Sequence, residues 1–250
     1  MNILALIPAR MGSSRFPGKP MVPILGKPMI EHVYENVIAS PILTHTAVAT
    51  CDEEIYNYIQ SIGGVAVMTS HQHERASDRC AEALLILEEI NQISYDIVAM
   101  VQGDEPMIVS EMITEAIQPM LRDASIQVAN LIGKIKDADE FEDRNCVKVV
   151  HDLEFNAMYF SREPIPSRWL VKDVSAGKQI AVIPFRRNFL LEYLQLTPTP
   201  LEVVESIDMM RVLEHGMKVR MVPTQYTTYP VDTPADLRRV EKLMSEYACC

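Results

Sequence analysis

Three features of this sequence predict an α/β fold with a mostly parallel central sheet and helices on both faces. Short apolar runs alternate with helix-spaced stretches through the first hundred residues, and a β-α-β-α order implies parallel strands joined by crossover helices. The first run, Ile3 to Ile7, is apolar throughout, which is the signature of a buried strand. With 250 residues and 48% apolar content, the chain can bury a large core.

The elements follow in order. Ile3–Ile7 is the first strand, and residues 8–20 form a loop rich in Gly, Ser and Pro. Met29, Ile30, Val33 and Val37 have helical spacing, with Pro28 suited to the first turn. Thr46–Thr50 is a strand. A helix begins near Asp52, runs through Ile55 and Ile59, and stops at Gly63-Gly64. Val65–Met68 is a third strand, Ser77-Asp78 opens a helix through Leu84 and Leu87, and Ile97–Val101 is a fourth strand. The loops after Ile7, Met68 and Val101 are expected at one ligand-binding edge, outside the carboxyl ends of the strands.

The second half is less regular. Ser125–Ile132, Val147–Val150, Ala157–Phe160, Ile180–Ile183 and Lys218–Val222 read as strands, and 161–166 is rich in turn residues. Asn188–Leu196, Leu201–Glu214 and Thr233–Tyr247 read as helices, with Pro234 in an early helical position. Neither a repeat nor an interdomain linker is evident. The expectation is one domain over 1–250, with 155–210 as a sub-lobe or dimerisation arm.

Bulk charge narrows the function. The net charge of −11 argues against a general nucleic-acid or anionic-membrane binder. No apolar run reaches the roughly 20 residues of a membrane helix, and the N-terminus lacks the pattern of a signal peptide. The five cysteines form no Cys-x-x-Cys pair. Their odd count and scattered spacing fit a reducing cytoplasm, with Cys249-Cys250 as a tail of free thiols.

Against that acidic background, residues 1–30 carry Arg10, Arg15, Lys19 and Lys27 and no Asp or Glu. A cationic island in a Gly-containing loop after a strand suits an anion such as a triphosphate. An ordinary surface loop has the same composition, and neither the P-loop nor the dinucleotide fingerprint is present. Asp104 follows the fourth strand, and Asp232 lies between a strand and the last helix. Two carboxylates at strand ends can hold Mg²⁺ together with phosphates and waters. Each also has a plain reading, Asp104 as a turn residue and Asp232 as a helix cap. His71-Gln-His73 is a weak metal pattern without a third ligand. Ser77 lies at a helix N-terminus, with Arg75 and Arg79 in reach of an anion there. No Gly-x-Ser-x-Gly elbow occurs. Positioning and charge neutralisation, the chemistry of phosphoryl or nucleotidyl transfer, fit best.

These residues resemble a known family. Ile7-Pro-Ala-Arg-x-x-Ser-Ser-Arg-x-Pro-Gly-Lys19, Gly26-Lys-Pro-Met-Ile30, Val48-Ala-Thr50, Ser77-Asp-Arg79, Val101-Gln-Gly-Asp-Glu-Pro106, Tyr159-Phe-Ser-Arg162, Pro164-Ile-Pro166 and Val231-Asp-Thr-Pro234 look like the motifs of the CMP-Kdo synthetases, in order along nearly the whole chain. These are the 3-deoxy-manno-octulosonate cytidylyltransferases of lipopolysaccharide synthesis. The resemblance implies a Rossmann-like nucleotidyltransferase fold, a homodimer, and Mg²⁺-dependent attack of a sugar acid's anomeric hydroxyl on the α-phosphorus of CTP. Carried over by position, Arg10, Lys19 and Asp104 are catalytic. Ala9, Arg10, Ser13, Ser14, Arg15, Lys19, Arg75 and Ser77 contact the nucleotide. Asp104 and Asp232 bind Mg²⁺, and Arg79 and Gln102 lie by the sugar.

The chain departs from the family in the sugar pocket. It has Arg75-Ala-Ser-Asp-Arg79 where the family usually reads Ser-Gly-Thr-Asp-Arg, and Gln179-Ile-Ala-Val-Ile-Pro-Phe-Arg186 in place of His-Ile-Gly-Ile-Tyr-Ala-Tyr-Arg. Asp208-Met-Met-Arg211 stands where the family usually has Glu-Gln-Leu-Arg. Gln179, Ile183, Asp208 and Met209 therefore replace polar sugar contacts, while the loop cations and both aspartates are kept. A site built of polar contacts discriminates sharply between substrates. The pattern points to an altered octulosonate, the 8-amino-8-deoxy form, with Asp208 as a reader of the amine. Compensated drift in an enzyme for ordinary Kdo is the alternative. CMP-sialate synthesis and a catalytically silent nucleotide-binding protein are competing readings. The Gln-Gly-Asp-Glu-Pro and Val-Asp-Thr-Pro motifs disfavour the former, and retention of Arg10, Lys19, Asp104 and Asp232 disfavours the latter.

Overall fold

The computed structural model describes residues 1–12, 16–171 and 176–247. Ser13, Ser14, Arg15 and the Cys249-Cys250 tail, all named above, lie outside the described residues. The chain divides into two compact units, one of residues 1–114 and 227–250 and the other of 115–226. The segment 155–210 falls within the second.

In the first unit, β1 (Ile3–Ala9) is buried along its whole length. It pairs in parallel with β4 (His45–Thr50) on one side and with β6 (Ile97–Val101) on the other, and β5 (Ala66–Met68) extends the sheet beyond β4, again in parallel. A small ribbon, β2 (Pro23–Ile24) with β3 (Lys27–Pro28), precedes helix α1 (Met29–Ile38). Helices α2 (Glu53–Ser61) and α3 (Ala76–Asn91) connect the strands. A central strand covered on both faces needs apolar residues at every position, and Leu4, Leu6 and Ile7 have no exposed surface.

The chain leaves this unit within α4 (Ser110–Arg122), a helix for which the sequence reading has no counterpart. Its Met112, Ile113, Ala116, Ile117 and Met120 are buried at helical spacing. Pro119 lies inside the helix and obscures the pattern. An interior Pro costs about 3 kcal/mol, and burying five apolar side chains, at roughly 1–3 kcal/mol for each large one, outweighs it.

The second unit holds a mixed sheet. Strand β7 (Ala129–Lys134) is followed by the short helix α5 (Ala138–Glu142), β8 (Lys148–His151), β9 (Ala157–Ser161), β10 (Gly177–Ile180) and β11 (Val182–Arg186). Helices α6 (Arg187–Tyr193), α7 (Pro200–Glu205) and α8 (Asp208–Glu214) lead to β12 (Arg220–Pro223). The sheet order is β12-β7-β10-β8-β9, and only β12 pairs in parallel.

Two expected elements are each split. The strand expected over 180–183 is two strands meeting at Ala181. There the buried Asn130 side chain donates to Ile180 O (2.7 Å), supplying a partner where the strand turns away. The helix expected over 201–214 is α7 and α8, broken at Ser206 with φ of 54°. Folding α8 back on α7 lets Arg211 make a two-pronged contact to Glu202 (2.7 and 2.6 Å). Tyr193 packs on the guanidinium at 4.7 Å. Helical spacing reports which residues face inward, not that two of them are opposite charges meeting each other.

Lys148 and the Lys178–Glu140 pair are also buried in this unit. Lys148 donates to the carbonyls of Asp143, Cys146 and Arg162 (2.7–2.8 Å), which fills its three donors. Lys178 pairs with Glu140 at 2.5 Å. Burial, with Glu140 nearby, pushes the Cys146 thiol up to about 12, so it stays a thiol at neutral pH.

Glu202 has no exposed surface, so removing one member of its pair strands a buried charge. Glu202→Ala is expected to lower stability by about 3–5 kcal/mol in urea unfolding, and a double Glu202→Met, Arg211→Met substitution should recover most of that loss. A loss below about 1 kcal/mol for the single variant would show that the pair is solvated.

Candidate active site

At the carboxyl end of β1 the chain turns into the cationic loop. Ala9 is the last strand residue and Arg10, next to it, is exposed. The turn is anchored by a residue that the sequence reading treats only as a helix start. Asp52 stands in the N-cap position of α2, yet its carboxylate accepts from Met11 N (2.8 Å) rather than capping the helix. Gly18 N donates to Met11 O (3.0 Å), which closes the loop. Gly18 has φ of 73°, a conformation that suits glycine, and it opens a single 3₁₀ turn over Lys19–Met21. The backbone thus aims Lys19 inward.

Lys19 meets both acidic candidates. Its ammonium donates to Asp104 Oδ2 (2.6 Å), Asp232 Oδ1 (3.0 Å) and Val231 O (3.1 Å). The three side chains keep 13%, 25% and 11% of their surface exposed, in the order Lys19, Asp104, Asp232. Burial pulls the Lys19 pKa down, but attraction to Asp104 and Asp232 and the hydrogen bonds to both outweigh it, so the ammonium is held above its ordinary 10.5.

Each aspartate is placed by its own device. Asp104 lies in the turn after β6, where Gly103 runs so close to β1 that a Cβ would sit 3.1 Å from Pro8 O and 3.2 Å from an Ile30 methyl. Space, rather than backbone angle, calls for glycine here. Asp232 precedes α9 (Pro234–Tyr247). Asp236 accepts from the N–H groups of Asp232 (3.2 Å) and Thr233 (2.8 Å), while Thr233 Oγ1 accepts from Asp236 N (3.2 Å). This reciprocal cap belongs to Thr233 and Asp236, which leaves the Asp232 carboxylate for Lys19. A backbone bond from Val231 N to Asp104 O (2.9 Å) ties the two acidic segments together. Beneath them Ile24, Met29, Tyr229, Val231 and Val240 form a buried cluster against which Phe16 and Leu237 pack.

The donor set suits Mg²⁺. Two carboxylates share one cation already, both offer hard oxygen ligands, and neither is sealed from solvent. Among the described residues no group of three or more His, Cys, Asp or Glu gathers as a metal site. Further ligands would therefore come from phosphates and water, as Mg²⁺ prefers.

The segment after β5 is pinned by α3. Arg79 is buried and donates to Thr69 Oγ1 (2.6 Å), and more weakly to Ser70 O and His73 O (3.4 and 3.3 Å). Glu82 accepts from Ser70 N (2.8 Å) and lies 2.6 Å from His73 Nε2. Ser77 is fully buried in the first turn of α3, and Arg75 occupies its N-cap position. Gln102 is half-buried directly after β6. Arg79 thus shapes the loop that carries Arg75, a part that a sequence motif does not express.

The remaining sugar-site candidates belong to the second unit. Gln179 donates to Asn130 Oδ1 (2.6 Å), and Ile183 and Met209 are buried apolar core residues. Asp208 opens α8, half-buried, and its backbone carbonyl accepts from Tyr193 OH (3.2 Å).

The Glu82 contact has a pH signature. Burial pushes its carboxyl up, but the Ser70 N–H and the His73 ring pull it down further, leaving it below the ordinary 4.5. A lowered carboxylate stabilises the closed loop fully above 4.5, and that stability disappears as pH falls through the lower folded value. Protection of the Ser70 amide against hydrogen exchange should therefore be flat from pH 7 to about 5 and fall below it. Unchanged protection down to about pH 3 would assign the loop's closure to Arg79 alone.

Comparison with known proteins agrees with this geometry. A family model described as Cytidylyltransferase matches residues 4–219. The 3-deoxy-manno-octulosonate cytidylyltransferase of Geobacter metallireducens is 42% identical, over 99% of both chains. A solved CMP:2-keto-3-deoxy-manno-octonic acid synthetase complexed with CTP superposes with a TM-score of 0.89 at 36% identity, covering 99% of this chain and 100% of that one. The 4-diphosphocytidyl-2C-methyl-D-erythritol synthase of Anaerococcus prevotii, at 17% identity and a TM-score of 0.66 over 98% and 96% of the two chains, shares the fold. With a fold, an ordered set of motifs and a near full-length relative in agreement, the chain belongs to the CMP-Kdo synthetase family of cytidylyltransferases.

Proposed function

We propose that this protein transfers CMP from CTP to the anomeric hydroxyl of a 3-deoxy-manno-octulosonate-type sugar acid, releasing pyrophosphate, with Mg²⁺ as cofactor. The observation that carries the reading is the meeting of Lys19, Asp104 and Asp232 beside the carboxyl ends of parallel strands, in a chain of this family. Arg10, exposed where β1 ends, and Lys19 are the cations for the triphosphate. Asp104 and Asp232 would hold Mg²⁺, which would supply charge neutralisation at the phosphates. Gln102, two residues before Asp104, is read as a sugar contact. The three described cysteines are free thiols, which supports a reducing, cytoplasmic setting. No described helix is long and apolar enough to cross a membrane.

The finer reading of the sugar is the 8-amino-8-deoxy form. Its support is Asp208, a half-buried carboxylate at the start of α8, of the charge that would recognise an ammonium. The burial of Ile183 and Met209 supports the opposite view, that part of the sequence difference from the family is core packing.

Pyrophosphate release from CTP and Mg²⁺ is expected with a 3-deoxy-octulosonate and to fall by about 100-fold or more in Asp104→Asn. A clear preference for the 8-amino sugar, lost in Asp208→Ala, supports the finer reading. Equal rates, or a preference for Kdo, assign the protein to ordinary Kdo. CTP binding without pyrophosphate release from any sugar acid would make it a silent nucleotide binder.

The same reading includes a homodimer. Its support is the exposed apolar surface of the second unit, where Met158, Trp169 and Leu170 keep 65%, 87% and 88% of their area exposed. Sedimentation equilibrium should give twice the 28.3 kDa chain mass, and a single-chain mass would refute it.

A further inference from the structure

We propose that Lys19 is an internal counter-ion that keeps the Asp104–Asp232 site closed to divalent cations until nucleotide phosphates draw its ammonium away, so that metal loads with the nucleotide or after it. The inference rests on the proposed function, because it assumes that the two aspartates are the metal ligands.

Saturation is the first argument. An ammonium has three N–H donors, and Lys19 spends all three, on Asp104 Oδ2, Asp232 Oδ1 and Val231 O. It is held on one side by each carboxylate and below by the backbone that joins them. Lys19 occupies one oxygen of each carboxylate, so a second cation serving both would sit directly beside this ammonium. The three side chains are each at least three-quarters buried, so repulsion between two such cations is screened less than at an open surface.

Charge is the second argument. Removing the ammonium takes one positive charge from beside the two carboxylates, and their attraction for a divalent cation grows accordingly. The structure thus sets the weakest metal affinity in the nucleotide-free protein.

The third argument is that the latch can be released. Lys19 sits in a single 3₁₀ turn whose backbone is fixed by Met21 N to Gly18 O (3.0 Å) and Val22 N to Lys19 O (3.2 Å). Its flexible four-carbon stem lets the ammonium change partners while that turn stays in place. A triphosphate entering beside Arg10 offers the ammonium alternative anionic acceptors and brings ligands of its own to the metal. One event then removes the competitor and completes the donor set.

The test is Mn²⁺ binding, followed by the electron paramagnetic resonance of free Mn²⁺, with and without α,β-methylene-CTP and with Mn²⁺ held by the analogue alone subtracted. The wild-type protein should bind Mn²⁺ weakly without nucleotide and tightly with the analogue. Lys19→Gln without nucleotide should bind it at least about tenfold tighter than the wild type does. Equal affinity in the variant and wild type overturns the latch. Full Mn²⁺ binding by Asp104→Asn, Asp232→Asn in the presence of the analogue overturns the metal assignment itself, and the latch with it. A measurement on the unaltered chain guards against misfolding of the variant. In protein labelled with ¹⁵N at the lysine side chains, metal-free analogue should shift the Lys19 Nζ resonance and Mg²⁺ alone should not. An unmoved resonance on adding the analogue overturns the proposal.

Discussion

The ammonium of Lys19 joins three segments that are far apart in the chain: the loop after β1, the turn after β6 and the entry to α9. Much of the first unit can be read as support for that junction. Gly18 sets the turn that aims the lysine, and Asp52 anchors the loop's first residues. Gly103 lets the Asp104 turn lie against β1. The bond from Val231 N to Asp104 O and the cap at Thr233–Asp236 fix the third segment. None of these contacts is strong singly. A buried or half-buried charge without a partner is expensive, however, and three charges that satisfy one another make the arrangement stable as a set.

What the site does electrostatically follows from this economy. The two carboxylates are held close together by the lysine, and they in turn keep its ammonium charged. Groups of opposite sign are therefore preorganised and neutralise one another. Exchange of partners replaces one set of ion pairs by another rather than creating charge from nothing. The second unit uses buried ions for a different end. Lys148, Lys178–Glu140 and Glu202–Arg211 hold loops and helices to its sheet.

The parallel sheet of the first unit was legible because a strand buried on both faces must be apolar throughout, and Ile3–Ile7 is. Lys19, Asp104 and Asp232 could be picked out for another reason, since each is a charge in the turn-rich sequence between a strand and a helix. Asp52 starts α2 as expected, but the turn of its carboxylate to Met11 N is not expressed by its place before a helix. Helix α4 was hidden by Pro119, and the α7–α8 break by a helical pattern that continues unbroken across Ser206. Arg79 is a buried clamp on its own loop, a role that its place in the motif does not express. Spacing encodes which face of an element is apolar. It does not encode which distant polar group a buried one will meet.

The return of the chain after residue 227 to the unit it left at residue 114 has a consequence for synthesis. A nascent polypeptide that has folded its parallel strands holds Lys19 and Asp104 but has only half of the cluster. Asp232, and the Val231 amide that ties the acidic segments together, are translated more than a hundred residues later. Through that interval Lys19 has one carboxylate partner instead of two, and the groove beneath, which Tyr229, Val231 and Val240 will cover, stays open. Assembly of the cluster therefore waits until Val231 and Asp232 have been made, and a chain truncated before Val231 would lack it.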